Sequence, residues 1–221
     1  MPSPRRALMT HGFASSWDHG WVQHGWPDLL ADIDLLPVPF GLPGHVDSPL
    51  PPTADIEFVQ STALDAAAGA DTAIGFSLGA ALTLHLAAQE PDRFEKIVLL
   101  GFGDRAWPRP GENVRLADRI ADPSRDDANI AQLRRAAQTS GNDLSRIEAF
   151  LRHFPGPPPP SRLRAITADV LIVLGEKDDL GPATMAATSM TNTQLQLLPD
   201  VDHWRTPSSP AAMRAALEFL S

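Results

Sequence analysis

Short runs of Val, Ile and Leu alternate along this 221-residue chain with longer stretches whose apolar positions recur at helical spacing. An unbroken apolar run of a few residues marks a strand buried on both faces, as in a parallel sheet covered by helices on either side. The pattern predicts strands at 7–9, 34–39, 72–75, 96–101, 170–175 and 194–198, and helices at 27–33, 54–68, 78–89 and 210–220. It therefore predicts an α/β fold with a mainly parallel, doubly wound sheet of about six strands and crossover helices on both faces. Functional residues belong on the loops that leave the carboxyl ends of the strands.

One segment breaks this rhythm. Residues 104–168 are polar, rich in Arg and Asp, and helical in period without a convincing strand. They are expected to form a helical cap inserted into a single domain spanning 1–221, whose core is 1–103 and 169–221. The proline-rich end of the segment, 154–161 (FPGPPPPS), lacks backbone donors and is expected to be an extended connector, neither helix nor central strand.

Composition narrows the class. With 43% hydrophobic and 20% charged residues in 23.8 kDa, the chain suits one soluble globular domain and is too short for two ordinary ones. Eighteen basic against 27 acidic residues give a net charge of −9. With no stripe of Lys and Arg to follow a phosphate backbone, no nucleic-acid partner is expected. The absence of cysteine excludes disulfides, thiolate nucleophiles and cysteine-ligated metals, and favours a reducing compartment. No apolar run is long enough for a membrane span or a signal-peptide core, so no membrane partner is expected and a cytoplasmic location is the default.

The strongest chemical signal is Gly75-Phe76-Ser77-Leu78-Gly79, between a predicted strand and a predicted helix. A serine hydroxyl is a poor nucleophile until a base reaches it, and a sharp strand-to-helix turn presents it for that purpose. A glycine-flanked serine alone is as often a plain helix cap, so partners are required, in the order serine, acid, histidine. Both occur. The apolar run 170–174 leads into Gly175-Glu176-Lys177-Asp178-Asp179, and the last predicted strand is followed by His203 within the loop 199–204.

Two further segments lie upstream in order: His11-Gly12-Phe13 after the first strand, and Leu42-Pro43-Gly44-His45-Val46-Asp47-Ser48 after the second. Together these five motifs make the chain resemble the α/β-hydrolase superfamily over nearly its whole length. The resemblance implies a catalytic triad of Ser77 as nucleophile, His203 as general base and Asp178 as orienting acid. It implies an oxyanion hole from the backbone N–H groups of Phe13 and Leu78, and acyl transfer without a cofactor. The implied activity is a carboxylic ester hydrolase acting on a small-molecule, ester-like substrate, with thioesterase, lactonase, carbon–carbon hydrolase, lyase or non-catalytic binding as alternatives.

Departures from the superfamily pattern are specific. The first strand comes within about ten residues, where the superfamily usually has two earlier strands, so a sheet trimmed to six is expected. Val46 replaces a customary glycine, and Asp200-Val201-Asp202 replaces the glycine-rich approach to the histidine. Asp178 matches the superfamily's spacing through Gly175 and Pro182, and Asp104, after the fourth predicted strand, is the alternative acid. Asp202 reads as a turn residue. His11, His19 and His24 lack the spacing of a metal site, and no metal is expected. Trp17 and Trp204, near the catalytic motifs, are candidates for substrate binding.

Overall fold

A computed structural model describes residues 4–124 and 127–221; residues 1–3 and 125–126 of the expected domain lie outside the described residues. Six strands form one sheet, in the order β2-β1-β3-β4-β5-β6: β1 (Arg5–Thr10), β2 (Leu35–Phe40), β3 (Thr72–Phe76), β4 (Lys96–Leu100), β5 (Asp169–Gly175) and β6 (Thr193–Leu198). Every pair is parallel. Their apolar runs are continuous because both faces are covered, and successive side chains divide strictly between two cores. Ala73, Ile97, Leu99, Val170 and Ile172 belong to one cluster, while Ile74, Val98, Leu100, Leu171 and Val173 belong to the other.

The first face is covered by α3 (Ile56–Ala66) and α4 (Leu78–Gln89), and the second by α2 (Trp26–Ala31) and α10 (Pro210–Leu220), with the short α1 (Trp17–Gly20) before them. Helix α4 is almost wholly buried, which explains why its apolar residues run all round it rather than along one stripe. Strand order reverses between β1 and β3, so the loops after these two strands diverge and leave a crevice at their carboxyl ends. Phe13 and Ser77 stand on those loops.

Between β4 and β5 lie α5 (Glu112–Ala121), α6 (Ala128–Thr139), α7 (Leu144–His153) and α8 (Pro160–Leu163); α9 (Thr184–Thr188) follows β5. Helices α5 to α7 bury a small cluster of their own around Ile120, Ile130 and Leu151, and share a second, of Ala137 and Ile147, with Ala14 of the loop after β1. Asp127 and Asp143 cap α6 and α7 through their carboxylates. The proline-rich segment is neither helix nor strand as far as Pro159, and it bends at Gly156, which sits at φ 81. Pro160 and Ser161 instead open α8, since proline at the first helical position gives up an N–H that has no intrahelical partner anyway.

Candidate active site

Strand β3 ends against α4 in a turn tight enough to force Ser77 to φ 53 and ψ −114, a region that costs a residue with a side chain about 1–3 kcal/mol. Glycines make the turn possible. A Cβ on Gly79 would run into the carbonyl oxygens of Thr10 and His11, and one on Gly75 would lie 2.7 Å from the Ala80 amide nitrogen. The Ser77 N–H donates to the Leu100 carbonyl (3.0 Å), fixing the turn to the neighbouring strand.

The Ser77 hydroxyl stands 2.9 Å from His203 Nε2, and His203 Nδ1 stands 2.9 Å from Asp178 Oδ2. A carboxylate only accepts, so Nδ1 carries the ring proton and Nε2 offers its lone pair to the Ser77 hydroxyl. The Asp178 side chain is fully buried, and its second oxygen accepts the Leu180 N–H at 2.8 Å. The two loops that bring Asp178 and His203 together are joined by the Lys177 N–H to the Val201 carbonyl (3.0 Å) and by an exposed Lys177–Asp200 ion pair. The His203 ring lies against Phe76, 5.1 Å between centroids, with Trp204 edge-on at 6.0 Å.

Asp104 is occupied elsewhere. Its two oxygens accept the N–H groups of Met185 (3.1 Å) and Ala186 (2.9 Å) in the first turn of α9, where it acts as a remote cap. Asp202 accepts the Arg205 N–H (2.9 Å) and closes a turn. Val46 has no positive φ, so glycine is not required there, whereas Gly44 does sit at φ 77, with a Cβ position only 2.7 Å from the Arg146 carbonyl oxygen.

A Cβ on Gly12 would lie 3.4 Å from Ser77 Cβ, so the loop after β1 runs directly beside the serine. Among the described residues the N–H groups of Phe13 and Leu78 have no hydrogen-bond partner. Phe13, Ser77, Leu78, His203 and Trp204 line one cavity of about 350 Å³, whose opposite wall comes from Leu116, Ile130, Leu133 and Leu151 of the insertion. Trp17 does not line it. It packs in the cluster of the α2–α10 face, and its N–H donates to Asp47 at 2.6 Å.

The other histidines are held in separate places. His11 donates from Nδ1 to the Gly12 carbonyl (2.9 Å) and sets Nε2 3.2 Å from Asp47. Burial opposes ionisation of Asp47, but the bonds from His11 and the Trp17 amide more than offset it and hold the carboxyl below its ordinary range. His19 faces Ser15, and among the described residues no group of acidic or histidine side chains is arranged to hold a metal ion.

A parallel six-stranded sheet, a strained serine at the carboxyl end of a central strand, and an acid and a histidine on later loops define the α/β-hydrolase fold. Over residues 7–216 the chain matches the model of the alpha/beta hydrolase family, and it belongs to that family. Among curated proteins it is similar to the pimeloyl-[acyl-carrier protein] methyl ester esterase of Nitrosomonas europaea. That likeness is 26% identity over 84% of this chain and 86% of the relative. Similar solved structures include the enol-lactonase of Burkholderia xenovorans (TM-score 0.75, 16% identity, 99% of this chain and 92% of that one). Another is a thermophilic esterase of Thermogutta terrifontis (TM-score 0.73, 19% identity, 99% and 90%). At these identities the structures show the shared fold. The chain is thus a hydrolase-family protein, with esterases among its relatives.

Proposed function

We propose that this protein is a serine hydrolase that cleaves a carboxylic ester of a small or medium acyl substrate through an acyl-enzyme, with Ser77, His203 and Asp178 as its triad. The observation that carries the reading is the unbroken line from Ser77 through His203 to the buried Asp178, 2.9 Å at each step. His203 Nε2 takes the hydroxyl proton as Ser77 Oγ bonds to the substrate carbonyl carbon. Asp178 stabilises the imidazolium that results. The unpartnered N–H groups of Phe13 and Leu78 receive the oxyanion, each such donor being worth on the order of a hundred- to thousandfold in rate. The tetrahedral intermediate collapses, the leaving alcohol departs with the proton from His203, and a water activated by His203 then releases the acid and restores Ser77.

The chain acts as one catalytic domain in which residues 104–168 cap the cavity. Substrate choice rests on its apolar wall, and Trp204 is the candidate binding tryptophan. A cysteine-free chain fits the cytoplasmic setting expected of it. A panel of esters, thioesters and lactones of graded acyl length, with Ser77→Ala as the blank, tests the reading. Ester turnover that vanishes in Ser77→Ala supports it, and turnover confined to thioesters or lactones would replace the substrate class while keeping the triad.

A further inference from the structure

The Phe13 N–H belongs to a four-residue turn, closed by the Ser15 N–H to the Gly12 carbonyl at 3.2 Å, in which Ala14 sits at φ 63. Alanine disfavours that region, so such a turn persists only where its surroundings hold it. Two side chains do so. His45 Nε2 accepts the Ala14 N–H at 3.2 Å, and the Asn142 amide donates from Nδ2 to the Ser15 carbonyl at 2.8 Å. The two grips share a base, because Asn142 Oδ1 accepts the N–H of Val46, the residue after His45, also at 2.8 Å.

His45 is committed to this task by its other nitrogen, which donates to the Pro43 carbonyl (3.1 Å) and leaves Nε2 as an acceptor. Burial, and then the neighbouring His11, bring its pKa down to about 3, so the ring stays neutral. Asn142 comes from the insertion, in the loop between α6 and α7. The Phe13 side chain points the same way, packing against the clusters of Ile130 and Leu151 and of Ala137 and Ile147 and standing edge-on to the His45 ring at 5.8 Å.

We propose that His45 and Asn142 are positioning residues that clamp the 12–15 turn, so that the insertion, through Asn142, sets the aim of the Phe13 N–H at the reacting oxygen. This rests on the serine-hydrolase reading. Neither residue touches the reacting atoms; both act through the backbone that does. The insertion then has two tasks, walling the cavity and helping to build the oxyanion hole.

The test compares the full-length protein with Asn142→Ala, Asn142→Asp and His45→Gln, using a short-chain p-nitrophenyl ester and a trifluoromethyl ketone whose adduct with Ser77 places an oxyanion in the hole. In Asn142→Ala, kcat falls about tenfold, a fraction of the cost of deleting a donor outright, with KM within twofold. The inhibition constant of the ketone rises by the same factor. Asn142→Asp loses at least as much, because a carboxylate faces the Ser15 carbonyl, and His45→Gln moves kcat in the same direction. A kcat within twofold of the parent in both Asn142 variants, even with a lowered melting temperature, makes the bond a purely structural one and overturns the clamp. Absence of turnover in the unsubstituted protein overturns the underlying reading instead, and the clamp with it.

Discussion

The two walls of the cavity are built differently. On the sheet side, the Ser77 N–H is bonded to the neighbouring strand, the loops of Asp178 and His203 are bonded to each other, and the close approaches are ones where only glycine fits. The Phe13 turn is held by the side chains of His45 and Asn142. On the other side, Leu116, Ile130, Leu133 and Leu151 project from three helices with a small cluster of their own, tied at the surface by Arg152–Asp118 and Arg119–Asp127 ion pairs. Exposed pairs of that kind contribute about 0–1 kcal/mol each. Backbone bonding is therefore concentrated around Ser77, Asp178 and His203, and the looser packing lies across the cavity. Asn142 is a point at which the helical wall reaches back into the sheet-side one.

Substitutions should separate the two walls by size and by kinetic constant. Ser77→Ala lowers kcat on the order of a millionfold, as loss of a nucleophile does in comparable triads, in a steady-state ester assay. Asp178→Asn lowers it on the order of ten-thousandfold. Asp104→Asn, which weakens only the cap of α9, leaves kcat within a few-fold and costs about 1 kcal/mol of stability in denaturant unfolding. Equal losses from the two aspartates would erase the distinction drawn between them.

On the insertion side, Leu116→Ala enlarges the cavity and shifts the ratio of kcat/KM between medium and short acyl esters by about tenfold toward the longer chain, with kcat for the short ester little changed. Trp204→Ala raises KM several-fold, whereas Trp17→Ala, whose ring lies outside the cavity, moves KM less than twofold. A large kcat loss in Leu116→Ala would mean that the helices share in the chemistry beyond the Asn142 bond.

The pH dependence of stability sharpens the contrast further. His45 is held neutral in the fold down to about pH 3, so below its ordinary pKa near 6.5 the unfolded chain takes up a proton that the fold refuses. Stability should fall with acidification between those values, by up to about 1.4 kcal/mol per pH unit from this group. The half-buried His85, also shifted downward by burial first, contributes in the same direction. Replacing His45 by Gln should flatten the slope of unfolding free energy against pH in that window. An unchanged slope would place its origin in other groups.

What could be read in advance follows the same division. The strands were legible because a strand buried on both faces is a short unbroken apolar run, and Ser77 because its turn demands glycine on either side in a fixed local pattern. Asp178 and His203 were reached by spacing and chain order, since their meeting depends on β5 and β6 lying side by side, a fact that no local pattern carries. The four-residue helices α1 and α8 left too little periodicity to see. Trp17 stands a few residues from Phe13 in sequence yet packs in the cluster of the α2–α10 face, because the 12–15 turn, with Ala14 at φ 63, redirects the chain between them. Asn142 had no signature at all: its role arises from two loops that only the folded insertion brings within reach.

The central claim is that Ser77 is a nucleophile activated by His203, and the most direct measurement is intact-protein mass after exposure to a fluorophosphonate. The account predicts a single phosphonyl adduct located on Ser77, absent in Ser77→Ala and strongly slowed in His203→Gln. A folded protein that gains no adduct, or one whose adduct persists in Ser77→Ala, would contradict it.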